Sequence, residues 1–308
     1  MSSYGFGFLG NVLSFIIFYS LEEFRRISTG LLFILTTIFN TIHLWTLTIE
    51  FLSIFDIELS TDAFFKCRFT YFLQNITRGI STYLIIGVGL DRLIRSEFPL
   101  RSRRICTCAN ATIYTIVISS LFIILWSPWL SPEIIRDSQT GACIFNQSAT
   151  LYFYISQVQN PLRLILVCLI PVVIMLASNL RMLYNMRQSR RRVQIRTDNL
   201  TITNITTTNH NIMQIRFTDL DRMLFYMMLA NICTFILTQI PFNIYTTSRA
   251  YYRGLDTFTH TLVRTLVLIW SSLYFGIAFY LYCLASPFFR EKFLYIIRKF
   301  FESIKRLC

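Results

Sequence analysis

Residues 87–104 read GVGLDRLIRSEFPLRSRR. A long apolar run ends there on an acid–arginine pair, Asp91 and Arg92. Pro99 and four more arginines, Arg95, Arg101, Arg103 and Arg104, follow within a few turns. A charge pair at the edge of a greasy stretch marks a boundary between two solvents. Which two solvents is decided by the rest of the chain.

Of 308 residues, 54% are hydrophobic, 16% aromatic and only 15% charged. A soluble domain carries about a quarter charged residues. Ten Gly and seven Pro exclude a fibrous or disordered chain, and 29 Phe with 16 Tyr fit lipid-facing surface and interfacial belts. The chain reads as an integral membrane protein. No basic segment precedes the first apolar stretch, so the first helix is expected to act as its own insertion signal.

Hydropathy divides the chain into apolar stretches at 4–21, 28–54, 64–91, 107–130, 158–184, 220–247 and 258–284. A spanning helix needs about 20 such residues, and the first stretch is marginal. The expected fold is an all-α membrane protein of one domain, 1–308. It is a bundle of seven transmembrane helices with a short amphipathic helix over 287–301. Seven crossings put the termini on opposite sides. The loops holding 25–26, 92–104 and 181–222, with the tail from 290, carry 21 of the 29 basic residues and 9 of the 16 acids. Their net charge is +12 of the chain's +13. That asymmetry is the positive-inside pattern, placing the N-terminus outside and the C-terminus in the cytoplasm. The basic loops then face anionic lipid or an acidic cytosolic protein, and nucleic acid is not the expected partner.

From Cys67 to Arg92 the third stretch runs about 37 Å at 1.5 Å per residue, against a hydrocarbon core of about 30 Å. Cys67 thus sits at the outer surface when Arg92 sits at the inner one. Cys143 lies in an outer loop, and a Cys67–Cys143 disulfide would pin that loop to helix three. The other six cysteines are expected as free thiols. No metal-ligand spacing occurs, because Cys106 and Cys108 are too close and the three His are scattered. No cofactor is expected. The sequon at Asn146 falls in the same outer loop and could be glycosylated.

Cys67, then Asp91-Arg92-Leu93, then Pro99-Leu100 resembles the rhodopsin-like G-protein-coupled receptors, in which a Cys opens helix three and an Asp-Arg-Tyr closes it. The resemblance extends along nearly the whole chain. It includes Gly10-Asn11 in helix one, Pro171 in helix five, Phe235 and Pro241 in helix six, and Tyr282 in helix seven. The segment SPFFREKF that follows resembles the short helix lying along the membrane. Departures are Asn40 for the helix-two Asp, Gln239 for the helix-six Trp, Ala278-Phe279 for Asn-Pro in helix seven, Leu93 for the Tyr, and no helix-four Trp near 117–118. With its short loops, the chain looks most like divergent invertebrate peptide or chemosensory receptors.

The resemblance implies a cell-surface receptor that binds an extracellular ligand and activates a heterotrimeric G protein. Arg92 would pair in the resting state with Asp91 and with Asp221, at the start of helix six. Outward movement of helix six would break the contact, and Tyr282 would help to hold the open state. In the outer half, Gln74, Arg78, Ser81 and Thr82 share one face of helix three. Arg78 lies about 16 Å below Cys67, a depth at which a charge faces a partner or a cavity. Glu50 is a candidate partner for it, as is a ligand carboxylate. Arg163, Gln239 and Arg264 complete the candidate ligand-binding set. Helix three has no acid at Gln74, which argues against a monoamine, and helix seven has no Lys for a retinal Schiff base. A peptide or a small anionic ligand fits best. No catalytic motif is present, so an enzyme is not expected. A seven-helix transporter, a ligand-gated channel and a non-coupling receptor-like protein are the rivals.

In the third inner loop, 186–196 (MRQSRRRVQIR) reads as membrane-surface or G-protein contact. The Thr/Asn run 197–211 reads as a spacer with no helical pattern.

Overall fold

The computed structural model describes residues 2–54, 57, 62–136, 143–145, 150–200, 208–251, 257–285 and 287–307. Its long helices are α1 (Ser2–Ser20), α2 (Ser28–Ile54), α3 (Thr70–Glu97), α4 (Cys108–Trp126), α5 (Ile170–Leu200), α6 (Thr208–Tyr251), α7 (Thr257–Ala285) and α8 (Pro287–Leu307). Among the described residues five helices are long and apolar enough to cross a membrane: Ser28–Ser53, Cys108–Leu130, Gln157–Asn185, Phe225–Ser248 and Leu262–Leu284. This is the build of a multi-pass membrane protein. α1 contributes a shorter apolar helix, Tyr4–Ser20.

α3 is the hub, packing on α2, α4 and α5; α1 packs on both α2 and α7, and α6 on α7. Close approach is bought with glycine: a Cβ at Gly79 of α3 would fall 2.2 Å from the Phe122 ring of α4. Likewise a Cβ at Gly276 of α7 would sit 2.7 Å from the Gly7 Cα of α1. Small residues let backbones approach where a bilayer supplies no hydrophobic drive between helices.

The helix leading into α5 is built around two prolines. Each proline removes a backbone donor and crowds the carbonyl four residues earlier. A π-turn lies ahead of each one: Tyr154–Gln159 before Pro161, and Leu164–Leu169 before Pro171. The extra residue in each wider turn takes up the mismatch. A further π-turn, Phe64–Phe69, leads into α3 and carries Cys67.

The polar run 197–211 departs from the spacer reading. α5 continues through Leu200 and α6 starts at Thr208, leaving 201–207 outside the described residues. Propagating an existing helix adds one bond per residue fixed, so it outruns the apolar stretch that nucleated it. α8 buries Phe289 and half-buries Phe293 and Ile296, one face at i, i+4 and i+7, while Arg290 and Arg298 stay exposed.

Candidate functional site

At the Cys67 end, Cys67 is disulfide-bonded to Cys143, with their Cα atoms 5.5 Å apart. Cys143 opens the second strand of a small hairpin, β1 (Ile134–Arg136) and β2 (Cys143–Phe145), with Ile134 opposite Phe145. Arg68, one residue past the cysteine, fastens the hairpin again. Its Nε donates to the Ile134 carbonyl at 2.9 Å and its Nη2 to that of Pro132 at 3.0 Å. Asn146 lies outside the described residues.

Below this cap, polar side chains from five helices converge. Both carboxylate oxygens of Glu50 on α2 accept hydrogen bonds. One carboxylate oxygen accepts from Gln74 Nε2 at 2.7 Å, and the other from Arg264 Nη2 at 2.7 Å. The partner of Glu50 is therefore Arg264, and not the Arg78 that depth alone had put forward. The pair is half exposed on the arginine side, at 49%, and largely buried on the carboxylate side, at 10%.

Arg78 is in a different situation. It is 3% exposed, and its Nε and Nη2 have no hydrogen-bond partner among the described residues. Its guanidinium carbon lies 4.3 Å from the centroid of Phe242 on α6. Arg163 approaches the same ring at 5.6 Å and donates from Nη2 to Thr246 Oγ1 at 2.5 Å, while its own Nε is unpartnered. Two cations thus share one aromatic ring. A desolvated cation–π contact returns about 2 kcal/mol, whereas burying an unpaired ion costs several. The ring offsets only part of the cost of burying Arg78.

Gln239 donates to the Ser271 carbonyl at 2.8 Å and so ties α6 to α7. Buried His43 meets Thr77 Oγ1 at 3.1 Å through Nδ1 and packs on Phe275. Phe242, Thr246 and His43 escaped the reading of the sequence. A phenylalanine among 29 carries no signal until two arginines are seen to stack on it.

At the other end of α3, Asp91 and Arg92 are both buried, at 7% and 4% exposed. Asp91 accepts hydrogen bonds from the hydroxyls of Ser28 and Thr29 at the start of α2, and from Arg95 Nε at 2.9 Å. Arg95 Nη2 also donates to Ser28 Oγ at 2.9 Å and to the Cys106 carbonyl at 3.0 Å. Asp91 is thus held by Arg95, one turn on, rather than by the adjacent Arg92. Residues i and i+4 share a helix face, and i and i+1 do not. The knot joins α2, α3 and the segment before α4. Burial, and after it the Asp91 carboxylate, push the Cys106 thiol up to about 11. Asp221 lies in α6, but its side chain is outside the described residues.

Phe235 is buried edge-on to Tyr274, with ring centroids 5.1 Å apart, and Pro241 lies inside α6. Tyr282 accepts from Asn231 Nδ2 of α6 at 2.8 Å, and its ring is boxed by Phe18, Phe33 and Phe289. Arg181 donates to Glu97, joining the end of α3 to α5, and holds that carboxyl below its usual range. No cluster of potential metal ligands occurs among the described residues.

No family model matches the chain. Over 81 residues it is 31% identical to galanin receptor 2b of Danio rerio, a stretch that is 26% of this chain and 21% of that receptor. The match spans about a fifth of the relative's length. It is a partial, distant similarity to a G-protein-coupled receptor.

Proposed function

We propose that the chain is a seven-helix receptor of the rhodopsin-like class. Its N-terminus is outside and its C-terminus cytoplasmic, and it resides in the plasma membrane. An extracellular peptide or small anionic molecule binds among Glu50, Gln74, Arg78, Arg163, Gln239 and Arg264. The signal reaches a heterotrimeric G protein without covalent chemistry. The observation that carries this reading is the similarity to the galanin receptor, set beside the order and spacing of Cys67, Asp91-Arg92 and Tyr282.

The geometry supplies parts such a receptor needs. A ligand at the Cys67 end would meet α2, α3, the helix leading into α5, α6 and α7 at once. Outward movement of α6 would break the Asn231–Tyr282 bond and uncover Arg92. Two packed arrangements of this kind can be biased from a distant site, provided the ligand contacts differ between them.

The test is G-protein activation in cells expressing the chain with a promiscuous G-protein partner, against short peptides and small organic acids. A dose-dependent hit supports a coupled receptor. A flat response with surface expression established overturns coupling. The second reading, a receptor-like protein that binds without coupling, rests on the Gln239–Ser271 bond, which ties α6 to α7 where relatives of the class have a Trp.

A further inference from the structure

Of the cations near the Cys67 end, Arg264 has Glu50 and Arg68 has two backbone carbonyls. Arg78 and Arg163 have between them one threonine hydroxyl and one phenylalanine ring. Glu50, the carboxylate of this cluster, hydrogen-bonds Gln74 and Arg264 and acts on Arg78 through its charge alone.

The orphaned atoms of Arg78 are Nε and Nη2. These two N–H groups lie along one edge of the guanidinium and point in parallel, the spacing that grips both oxygens of a carboxylate. Arg163 offers a further N–H at Nε with no acceptor among the described residues, and it is only half buried. The shared wall is Phe242, 6% exposed. That wall suits an anion carried on an apolar body better than a hydrated inorganic ion.

We propose that Arg78 and Arg163, across Phe242, form a carboxylate-binding site. Its occupant is a monoanionic acid with an apolar group next to the carboxylate, either a free organic acid or the C-terminus of a peptide. The proposal rests on the receptor reading above, but only on its ligand half. It accounts for a buried arginine whose Nε and Nη2 meet no acceptor among the described residues: the ligand carboxylate would supply one.

The experiment uses the full chain in lipid nanodiscs without G protein and follows thermal unfolding. Without ligand, Arg78→Met is expected to raise the midpoint by a few degrees, because it removes a buried unpaired charge at similar volume. Millimolar benzoate is expected to raise the wild-type midpoint and leave Arg78→Met unmoved, with benzamide and benzylamine silent. Arg163→Gln, which keeps the deep arginine, should need roughly tenfold more benzoate, the loss of one charge-assisted hydrogen bond. The peptide Gly-Gly-Gly-Phe with a free C-terminus, set against its amide, separates the sources. If the peptide acid acts at lower concentration than benzoate the occupant is a chain terminus, and in the reverse order it is a small acid.

A fall in the midpoint of Arg78→Met would overturn the proposal, since the arginine would then have a partner within the protein. So would equal shifts from acid and amide, or a benzoate shift that survives in both arginine variants. Carboxylate binding without G-protein activation would remove only the coupling half of the receptor reading. Activation by an uncharged ligand would remove only this site.

Discussion

α3 and α4 lie against each other and are built in opposite ways. α4 is among the apolar spans, with a mean hydropathy of 2.0 over Cys108–Leu130, and only 17% of that window is buried. Its buried residues are Ala111, Thr115, Phe122 and Trp126, a narrow stripe, while Ile113, Ile116, Leu121 and Ile124 are exposed. α3 is not among the five apolar spans, yet it is the hub of the bundle, and Gln74, Asn75, Arg78, Ser81, Thr82, Asp91 and Arg92 are all buried in it. In a bilayer, hydropathy reports contact with lipid, and the two most apolar spans, Gln157–Asn185 and Cys108–Leu130, are also the two least buried, at 28% and 17%. Polar groups retreat to the interior, where another helix can meet them.

The difference can be broken most sharply where the two helices touch. Gly79→Val should drive a methyl group into the Phe122 ring and cost about 3 kcal/mol, the upper end for overpacking. The double variant with Phe122→Ala should recover part of that loss, read as thermal midpoint and surface yield. If the two losses simply add, the close approach of α3 and α4 is wrong.

A matched pair of truncations sharpens the comparison further. Ile80 of α3 is 2% exposed and Ile124 of α4 is 70% exposed. Ile80→Ala should cost about 2–4 kcal/mol through the cavity it leaves. Ile124→Ala should cost less than about 0.5 kcal/mol, because lipid fills the space. Equal losses in nanodisc unfolding would show that α4 packs against protein.

The smallest effect lies at the membrane-proximal end of α3. The hydrogen bond from Arg181 holds the Glu97 carboxyl below its ordinary range, so this contact stabilises the fold above that range and is lost as pH falls through the depressed value. Glu97→Gln should flatten that portion of the acid limb of the unfolding midpoint and leave neutral pH nearly unchanged. An acid limb identical in both proteins would dismiss the contact.

How much of this was legible in the sequence follows from the same contrast. The five apolar spans could be found because lipid contact is written into composition. Hydropathy also marked 64–91, although α3 is not among the five apolar spans, and the distance from Cys67 to Arg92 set its two ends at the two membrane faces. The partners were hidden. Asp91 is answered by Ser28 and Thr29, 63 and 62 residues away, and Glu50 by Arg264, 214 residues away. Nothing in local spacing distinguishes those hydroxyls from others. The i, i+4 partner Arg95 is readable from helical spacing, whereas the adjacent Arg92 lies on another face. The helical continuation past 184 and ahead of 220 was hidden for another reason: apolar length measures the bilayer, and a helix goes on into water.

The most direct test of a switch at the Arg92 end is basal nucleotide exchange on a purified G protein. It would compare the wild-type chain, Arg92→Ala and Asp221→Ala in nanodiscs at matched amounts of folded protein. Expected are a several-fold rise for Asp221→Ala, which frees α6, and a fall to the G-protein background for Arg92→Ala. Indistinguishable exchange in all three would mean that the buried charges at the end of α3 hold the bundle together and signal nothing.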